Sequence, residues 1–207
     1  MTTAIADWIE ELSRFPVRTE LAERDESERR RRDAIRAFES SLPAHYRWAR
    51  LSDPLLAKRV RLETLPMTVP ARGNVVFMGP SGAGKTSLAV ALLRALFERE
   101  LAKSDEHCSP SRYRFVHARQ LAVARLPGTS FDVSDLRSAL NAAILLLDDI
   151  GNDCMIPSSP VSDVISERHA EERATWITTE LGATQIAERY GAGIGRRIFE
   201  RATTVFF

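Results

Sequence analysis

Gly79-Pro80-Ser81-Gly82-Ala83-Gly84-Lys85-Thr86 matches the pattern G-x-x-x-x-G-K-[ST] at every fixed position. Glycines at these places let backbone N–H groups turn inward around a phosphate, and a helix that starts there adds its positive dipole end. Lys85 is then placed to reach the β- and γ-phosphates of a nucleotide, and the Thr86 hydroxyl to bind Mg²⁺. Gly79 to Ser87 is therefore the expected nucleotide-binding stretch. A glycine-rich turn that merely contains a lysine is the competing explanation, and the flanking pattern argues against it. Asn74-Val75-Val76-Phe77-Met78 reads as a buried strand, and Ser87 to Leu101 spaces Leu88, Leu92, Leu93 and Leu96 as a helix does.

A second set of groups follows an apolar run, Ala143-Ile144-Leu145-Leu146-Leu147, which ends in Asp148-Asp149-Ile150-Gly151. Unalternating apolar residues mark a strand buried on both faces, as in a parallel sheet. Ligands in open α/β sheets bind at the carboxyl ends of the strands, where these two acids lie. Asp148 is expected to organise Mg²⁺, directly or through water. Asp149 is placed to orient and polarise an attacking water; a helix N-cap is the plainer use of the pair. Thr175-Trp176-Ile177-Thr178-Thr179 is a third core strand. Either Thr178 or Thr179 could hydrogen-bond the attacking water or the γ-phosphate, although threonine also simply favours strands.

Other elements must hold these groups in place. Tyr113–His117 reads as a strand, Arg119–Arg125 and Val133–Ala142 as helices, Pro127-Gly128 as a turn. Val161–Glu172 reads as a helix capped by Ser158 or Ser159, Thr184–Tyr190 as another, and Thr203–Phe207 as a last strand. The class is α/β. His107 and His117 have no acid or second histidine at ligand-like spacing and are expected to be structural or surface residues.

The first third of the chain is different. Ile5, Trp8, Ile9 and Leu12 form one stripe of an amphipathic helix, suited to a partner or to packing on the domain. Leu21 to Ser41 is a charged, breaker-free helix containing four consecutive arginines, Arg29 to Arg32. Residues 1 to 60 carry 12 basic and 11 acidic side chains, and neighbours on a helix point about 100° apart. A solvated face is thus favoured over a phosphate-contacting one. Pro66 and Pro70 mark a linker, and this upstream segment could supply apolar contacts to a nucleotide base. Of 207 residues 44% are hydrophobic, as in a chain with one ordinary core, and the formal net charge of +1 gives no global basic field for nucleic acid. Two cysteines, Cys108 and Cys154, form neither a zinc nor a disulfide pattern, which fits a reducing cytoplasm. No signal pattern and no membrane-length apolar run is expected.

Taken in this order, the motifs resemble the AAA+ ATPases, and within them the DnaC-like helicase loaders and IstB-like transposition helpers. The resemblance covers about Leu42 to Phe207. It is carried by the glycine-rich loop, Leu-Leu-Leu-Asp-Asp-Ile-Gly, Val-Ile-Ser-Glu-Arg-His, Thr-Trp-Ile-Thr-Thr and Arg-Tyr-Gly-Ala-Gly-Ile-Gly-Arg-Arg-Ile-Phe-Glu. Leu-Pro-Ala-His-Tyr-Arg-Trp-Ala resembles the short segment before the core in these proteins. The family implies a P-loop core with a five-stranded parallel sheet flanked by helices, a helical N-terminal extension and no C-terminal lid. It implies residues 1–66 as the partner-binding extension and linker, and 67–207 as the ATPase core.

The same resemblance makes Lys85 and Thr86 part of Walker A, and Asp148 and Asp149 Walker B. Thr178 or Thr179 would be sensor 1, although Glu180 stands where relatives often have an Asn after the hydroxyls. Arg197, or its neighbour Arg196, would be an arginine finger acting in a neighbouring copy, with surface ion pairing as the plainer alternative. ATP and Mg²⁺ are the implied cofactors. The implied partners are further copies of the chain, a replicative helicase or a transposase, and single-stranded DNA. A P-loop small-molecule kinase would need an arginine-rich lid, for which Leu147 to Thr175 offers Arg168 and Arg173. A binding module with a degenerate site is disfavoured because the main catalytic positions are filled.

Overall fold

The computed structural model describes residues 17–60, 73–103, 108–123, 133–153 and 160–207. The Ile5/Trp8/Ile9/Leu12 stripe lies outside these residues. So do Pro66, Pro70, His107, Pro127-Gly128, Cys154, both candidate capping serines and the expected boundary at 66/67.

Five strands, β1 (Val75–Met78), β2 (Tyr113–His117), β3 (Ile144–Ile150), β4 (Ala174–Thr179) and β5 (Thr203–Phe206), form one sheet in the order β2-β3-β4-β1-β5. Every pairing is parallel, so the fold is the expected α/β arrangement. Helices cover both faces because the strands are apolar on both. On one side, Val75, Phe77, Phe115, Leu146 and Trp176 pack against α3 (Lys85–Lys103). On the other, Val76, Val116, Leu145, Leu147 and Ile177 meet α4 (Ala118–Ala122), α6 (Pro160–Ala170), α7 (Ala183–Tyr190) and α8 (Ala192–Phe199). The period of two along each strand thus decides which side chains face α3 and its preceding loop.

The helix α1 (Val17–Ser41) is exposed along its arginine-rich part and enters the core at its C-terminal end. Arg30 and Arg32 pair with Glu26 and Glu28 one turn back, as expected of a solvated face. Phe38 is buried, stacked on Phe97 of α3 with ring centroids 4.5 Å apart, and Leu42, Ala49 and Leu56 join the same apolar cluster. Residues 38–60, including α2 (Pro54–Arg59), therefore share the core built on the sheet.

Arg168 and Arg173 form no lid. Arg168 is wholly buried on α6 and donates to the carbonyls of Ala139, Leu140 and Ala142, closing the end of α5 (Val133–Asn141), and to the carbonyl of Ala174. Burial pulls its pKa down to about 10, still far above neutrality. Arg173 donates to the carbonyl of Leu140 beside it.

Candidate nucleotide site

The phosphate loop leaves β1 and enters α3, so its amides open at the carboxyl end of a central strand. Gly84 has φ +93°, a left-handed conformation that L side chains rarely adopt. A Cβ there would lie 2.8 Å from the Arg59 carbonyl oxygen and 3.1 Å from the Val60 Cα. The glycine thus serves a second purpose, admitting the end of α2 against the loop.

The loop faces a cleft of about 650 Å³. Ser81, Gly82, Gly84, Lys85, Thr86 and Ser87 line one side, and Asp148, Asp149, Thr178 and Glu180 the other. Lys85 Nζ donates to the carbonyls of Gly79 and Pro80 at 2.8 Å each. Burial lowers its pKa, while the charges of Glu180, Asp149 and Asp148 oppose that shift.

The acidic end is built by the strand order. Because β4 lies between β1 and β3, Thr178 stands between Thr86 and Asp148. Both hydroxyls donate to the same Asp148 Oδ1, Thr86 at 2.6 Å and Thr178 at 2.7 Å. His117, paired with Asp148 across β2 and β3, places Nδ1 3.0 Å from Oδ2. The Asp148 carboxylate is almost wholly buried, so these partners replace its lost hydration.

Asp149 reaches the cleft through a β-bulge. Leu147 pairs with Ile177 and Ile150 with Thr179, which leaves Asp148 and Asp149 opposite Thr178 alone. The extra residue turns left-handed, with φ +63° at Asp149. Its N–H donates to Thr178 Oγ1 at 2.8 Å in place of a ladder carbonyl, and Asn152 Nδ2 donates to its Oδ2 at 3.1 Å. Regular alternation would have sent the two acids to opposite faces of the sheet; the bulge brings both to the cleft.

Thr179 sits apart from this arrangement. Its hydroxyl donates to the carbonyl of Ile150 at 2.8 Å and accepts from the N–H of Leu181 at 3.0 Å, with no exposed surface. Of the two threonines, Thr178 alone lines the cleft. Under the hydrolytic role proposed below, Thr178→Val is expected to lower turnover about tenfold or more at unchanged fold, because it strands the Asp149 N–H and frees Asp148. Thr179→Val is expected to lower melting temperature with a smaller effect on turnover; phosphate-release assays and thermal unfolding of the pair measure the contrast.

Arg196 and Arg197 do not enter the cleft of their own chain. Arg196 is exposed on α8, and Arg197 lines a small crevice with Asn74 and Thr175 at the opposite end of the strands.

Four further residues belong to the site. His117, read as a structural or surface residue, is an immediate partner of Asp148. It shares the strand parity of Tyr113 and Phe115, both on the α3 face, and ends its strand where ligands bind. Tyr46 lines the cleft; burial raises the pKa of its hydroxyl, as do the charges of Asp148 and Asp149. Lys58 and Arg59 close the same side, with the Arg59 guanidinium 4.9 Å from the centre of the Trp48 ring. These residues come from the segment upstream of β1, and they line the cleft with polar and cationic groups rather than the apolar ones expected there.

Among the described residues no three His, Cys, Asp or Glu side chains are disposed to cage a metal ion. The donors at hand are a hydroxyl and a carboxylate oxygen, Thr86 Oγ1 and Asp148 Oδ1. Such hard ligands suit Mg²⁺ held jointly by protein, phosphates and water, so the residues fit that ion.

Known proteins place the chain within a family. No curated protein sequence matches it. Among solved structures it is similar to the DnaC helicase loader, with 22% identity and a TM-score of 0.58 over 80% of this chain and 99% of that one. It is also similar to DnaI, with 21% identity and a TM-score of 0.55 over 80% of this chain and 94% of that one. At this identity the likeness is one of fold. No helix among the described residues is long and apolar enough to cross a membrane. The sequence profile of the family described as IstB-like ATP binding protein matches residues 10–193, and the chain belongs to that family.

Proposed function

We propose that this protein hydrolyses ATP to ADP and phosphate, and that hydrolysis switches a helicase loader of the DnaC type. The observation that carries this reading is the shared carboxylate: Thr86 and Thr178 both donate to Asp148, and the bulge delivers Asp149 beside them. A site that only bound nucleotide would not need a second, left-handed acid.

The loop amides and Lys85 bind the phosphates, Lys85 exchanging the carbonyls of Gly79 and Pro80 for phosphate oxygens. Thr86 and Asp148 would hold Mg²⁺, which supplies charge neutralisation at the phosphates. Asp149 orients a water in line with the terminal phosphate and accepts its proton. Thr178 keeps Asp149 in register by holding its peptide N–H. Arg197, or Arg196, serves the site of a neighbouring copy, and its distance from its own loop supports this division. An arginine supplied in trans is worth orders of magnitude in rate. The chain is thus read as a cytoplasmic, ATP-dependent oligomer.

The client binds through residues 1–66. A helicase is the first reading, since the fold is shared with a protein described as a helicase loader. The family match favours a second, an IstB-like helper that delivers a transposase. Single-stranded DNA along the oligomer would suit either. Capture with the full chain as bait, helicase against transposase, separates the two.

Subunit mixing tests the mechanism. Lys85→Ala and Arg197→Ala are each expected to lose ~100-fold or more of phosphate release. Mixed together they should recover a measurable fraction, because the lysine-deficient chain still offers its arginine to the intact site of the other. Activity that is independent of protein concentration, or absence of rescue with Arg197→Ala fully active alone, would sink the shared-site reading.

A further inference from the structure

One buried polar cluster has no part in the chemistry so far. Asp153, 5% exposed, lies four residues after Asp149. Its Oδ1 accepts a short hydrogen bond from the Tyr190 hydroxyl and further bonds at 3.3 Å from the Gly151 N–H and Arg189 Nη2. Arg189 Nη2 also donates to the Asp153 main-chain carbonyl at 2.5 Å, and the Gly151 N–H donates to Tyr190 Oη at 2.9 Å. We propose that Tyr190, with Asp153 and Arg189, is a positioning device that fixes the turn holding Asp149 to the helix pair bearing Arg196 and Arg197. The inference rests on the proposed hydrolytic role of Asp149 and names how that site communicates.

The bonds of the cluster tie the turn after Asp149 to the end of α7, which leads directly into α8. On one side is the turn after Asp149. Asn152 donates through Nδ2 to Asp149 Oδ2 at 3.1 Å and through its main chain to the Asp149 carbonyl at 3.3 Å. The direction of the Asp149 carboxylate therefore follows the turn. That turn is locked from both ends of α7. Gly151 has φ +105°, and a Cβ on it would meet Leu181 at 2.7 Å just before the helix, while Tyr190 holds its N–H at the helix's last residue.

On the other side is α8. Tyr190 is followed by Gly191, φ +92°, whose carbonyl accepts the N–H groups of Ile194 and Gly195 and so starts α8. The two helices are in close contact: a Cβ on Gly195 would lie 3.2 Å from the Ala187 Cα. Backbone this close does not slide freely, so α8 and its arginines move with α7. A shift of the Asp149 turn on nucleotide binding is thereby carried to the arginines that the chain offers to its neighbour. Tyr190 keeps its proton for this task, since burial and the Asp153 carboxylate both raise its pKa.

Tyr190→Phe retains the ring and removes the hydroxyl. Amide hydrogen exchange of the full chain, read by mass spectrometry, is expected to speed up about tenfold in both 149–153 and 192–199. Turnover is expected to fall about tenfold in kcat with KM for ATP within about twofold, as for a group acting through a catalytic one. Asp153→Asn should reproduce both effects if the first variant folds poorly. Faster exchange in only one of the two segments overturns the proposal, as does a uniform increase over the whole sheet, the mark of a merely structural cluster. So does an unchanged kcat when both segments loosen. A parent chain that binds ATP without hydrolysing it defeats the proposed function instead, and the paired exchange alone then decides the coupling.

Discussion

Asp149→Asn is expected to bind ATP as the parent chain does and to hydrolyse it ~100-fold or more slowly, the usual worth of a positioned general base. The substitution isolates chemistry from architecture. Asn is nearly isosteric with Asp and is among the few residues that tolerate φ +63°, so the bulge and the Asp149 N–H bond to Thr178 Oγ1 persist. The side-chain oxygen can still accept from Asn152, and what is lost is the charge and the basicity. Asp149→Ala would be a poorer probe, because a left-handed alanine adds strain of its own. Titration with a fluorescent ATP analogue gives the affinity, and phosphate release gives kcat. Turnover within a few-fold of the parent would remove Asp149 from the mechanism and leave Asp148 as the sole working acid.

The site was readable where its parts are contiguous in sequence. The phosphate loop declares itself because a single turn needs glycines, a lysine and a hydroxyl in fixed succession, and Asp148-Asp149 because the carboxyl end of a strand buried on both faces is where ligands bind in open α/β sheets. What could not be read is relational. Thr178 and Thr179 are equivalent in sequence, and only the parity of Thr178 with Trp176, facing α3, separates them. That both neighbouring aspartates serve one cleft depends on a bulge, which is set by pairing with a strand about thirty residues away and leaves no local mark. His117 has no acid at ligand-like spacing in the sequence. Its acid was Asp148, one strand over in the sheet but 31 positions along the chain.

Residues 38–60 teach the same lesson at the scale of the fold. The family resemblance places them in the extension of residues 1–66, yet they contribute Phe38, Leu42, Ala49 and Leu56 to the core. The contact that most firmly joins them to the ATP-binding unit is polar and had no sequence signature.

That contact is Arg94, and Arg94→Ala is expected to cost about 3–5 kcal/mol, the range for removing one member of a buried polar network. Arg94 interrupts the apolar run of α3, yet it is 1% exposed. Its Nε donates to the Ala49 carbonyl at 3.1 Å, Nη2 to the Arg47 carbonyl at 2.7 Å and Nη1 to Glu39 Oε1 at 2.6 Å. Truncation leaves the fully buried Ala49 without its donor and opens a cavity beside Phe38, whose ring centre lies 5.8 Å from the guanidinium carbon. Arg94→Met restores most of the volume but none of the donors, and should recover only the packing share. Arg94→Lys should recover little, because one ammonium cannot span three acceptors in a planar fork.

Acid separates the ionic part from the rest. Burial alone would raise the Glu39 carboxyl, but Arg94, with Arg50 beside it, holds the pKa below the ordinary 4.5. A depressed acid contributes stability that is fully present above the unfolded value and lost as pH falls through the folded one. The gap between parent and Arg94→Ala in urea unfolding should therefore narrow below pH 4.5 without closing, since the carbonyl bonds do not titrate. A loss under about 1 kcal/mol at pH 7, the scale of an exposed ion pair, would show that residues 38–60 are held by their apolar side chains alone. In that case nucleotide affinity should also survive. If instead Arg94 anchors the segment, the variant loses affinity along with stability, because the Arg59 carbonyl that rests on Gly84 and the Tyr46 side chain that lines the cleft are carried by the same stretch of chain.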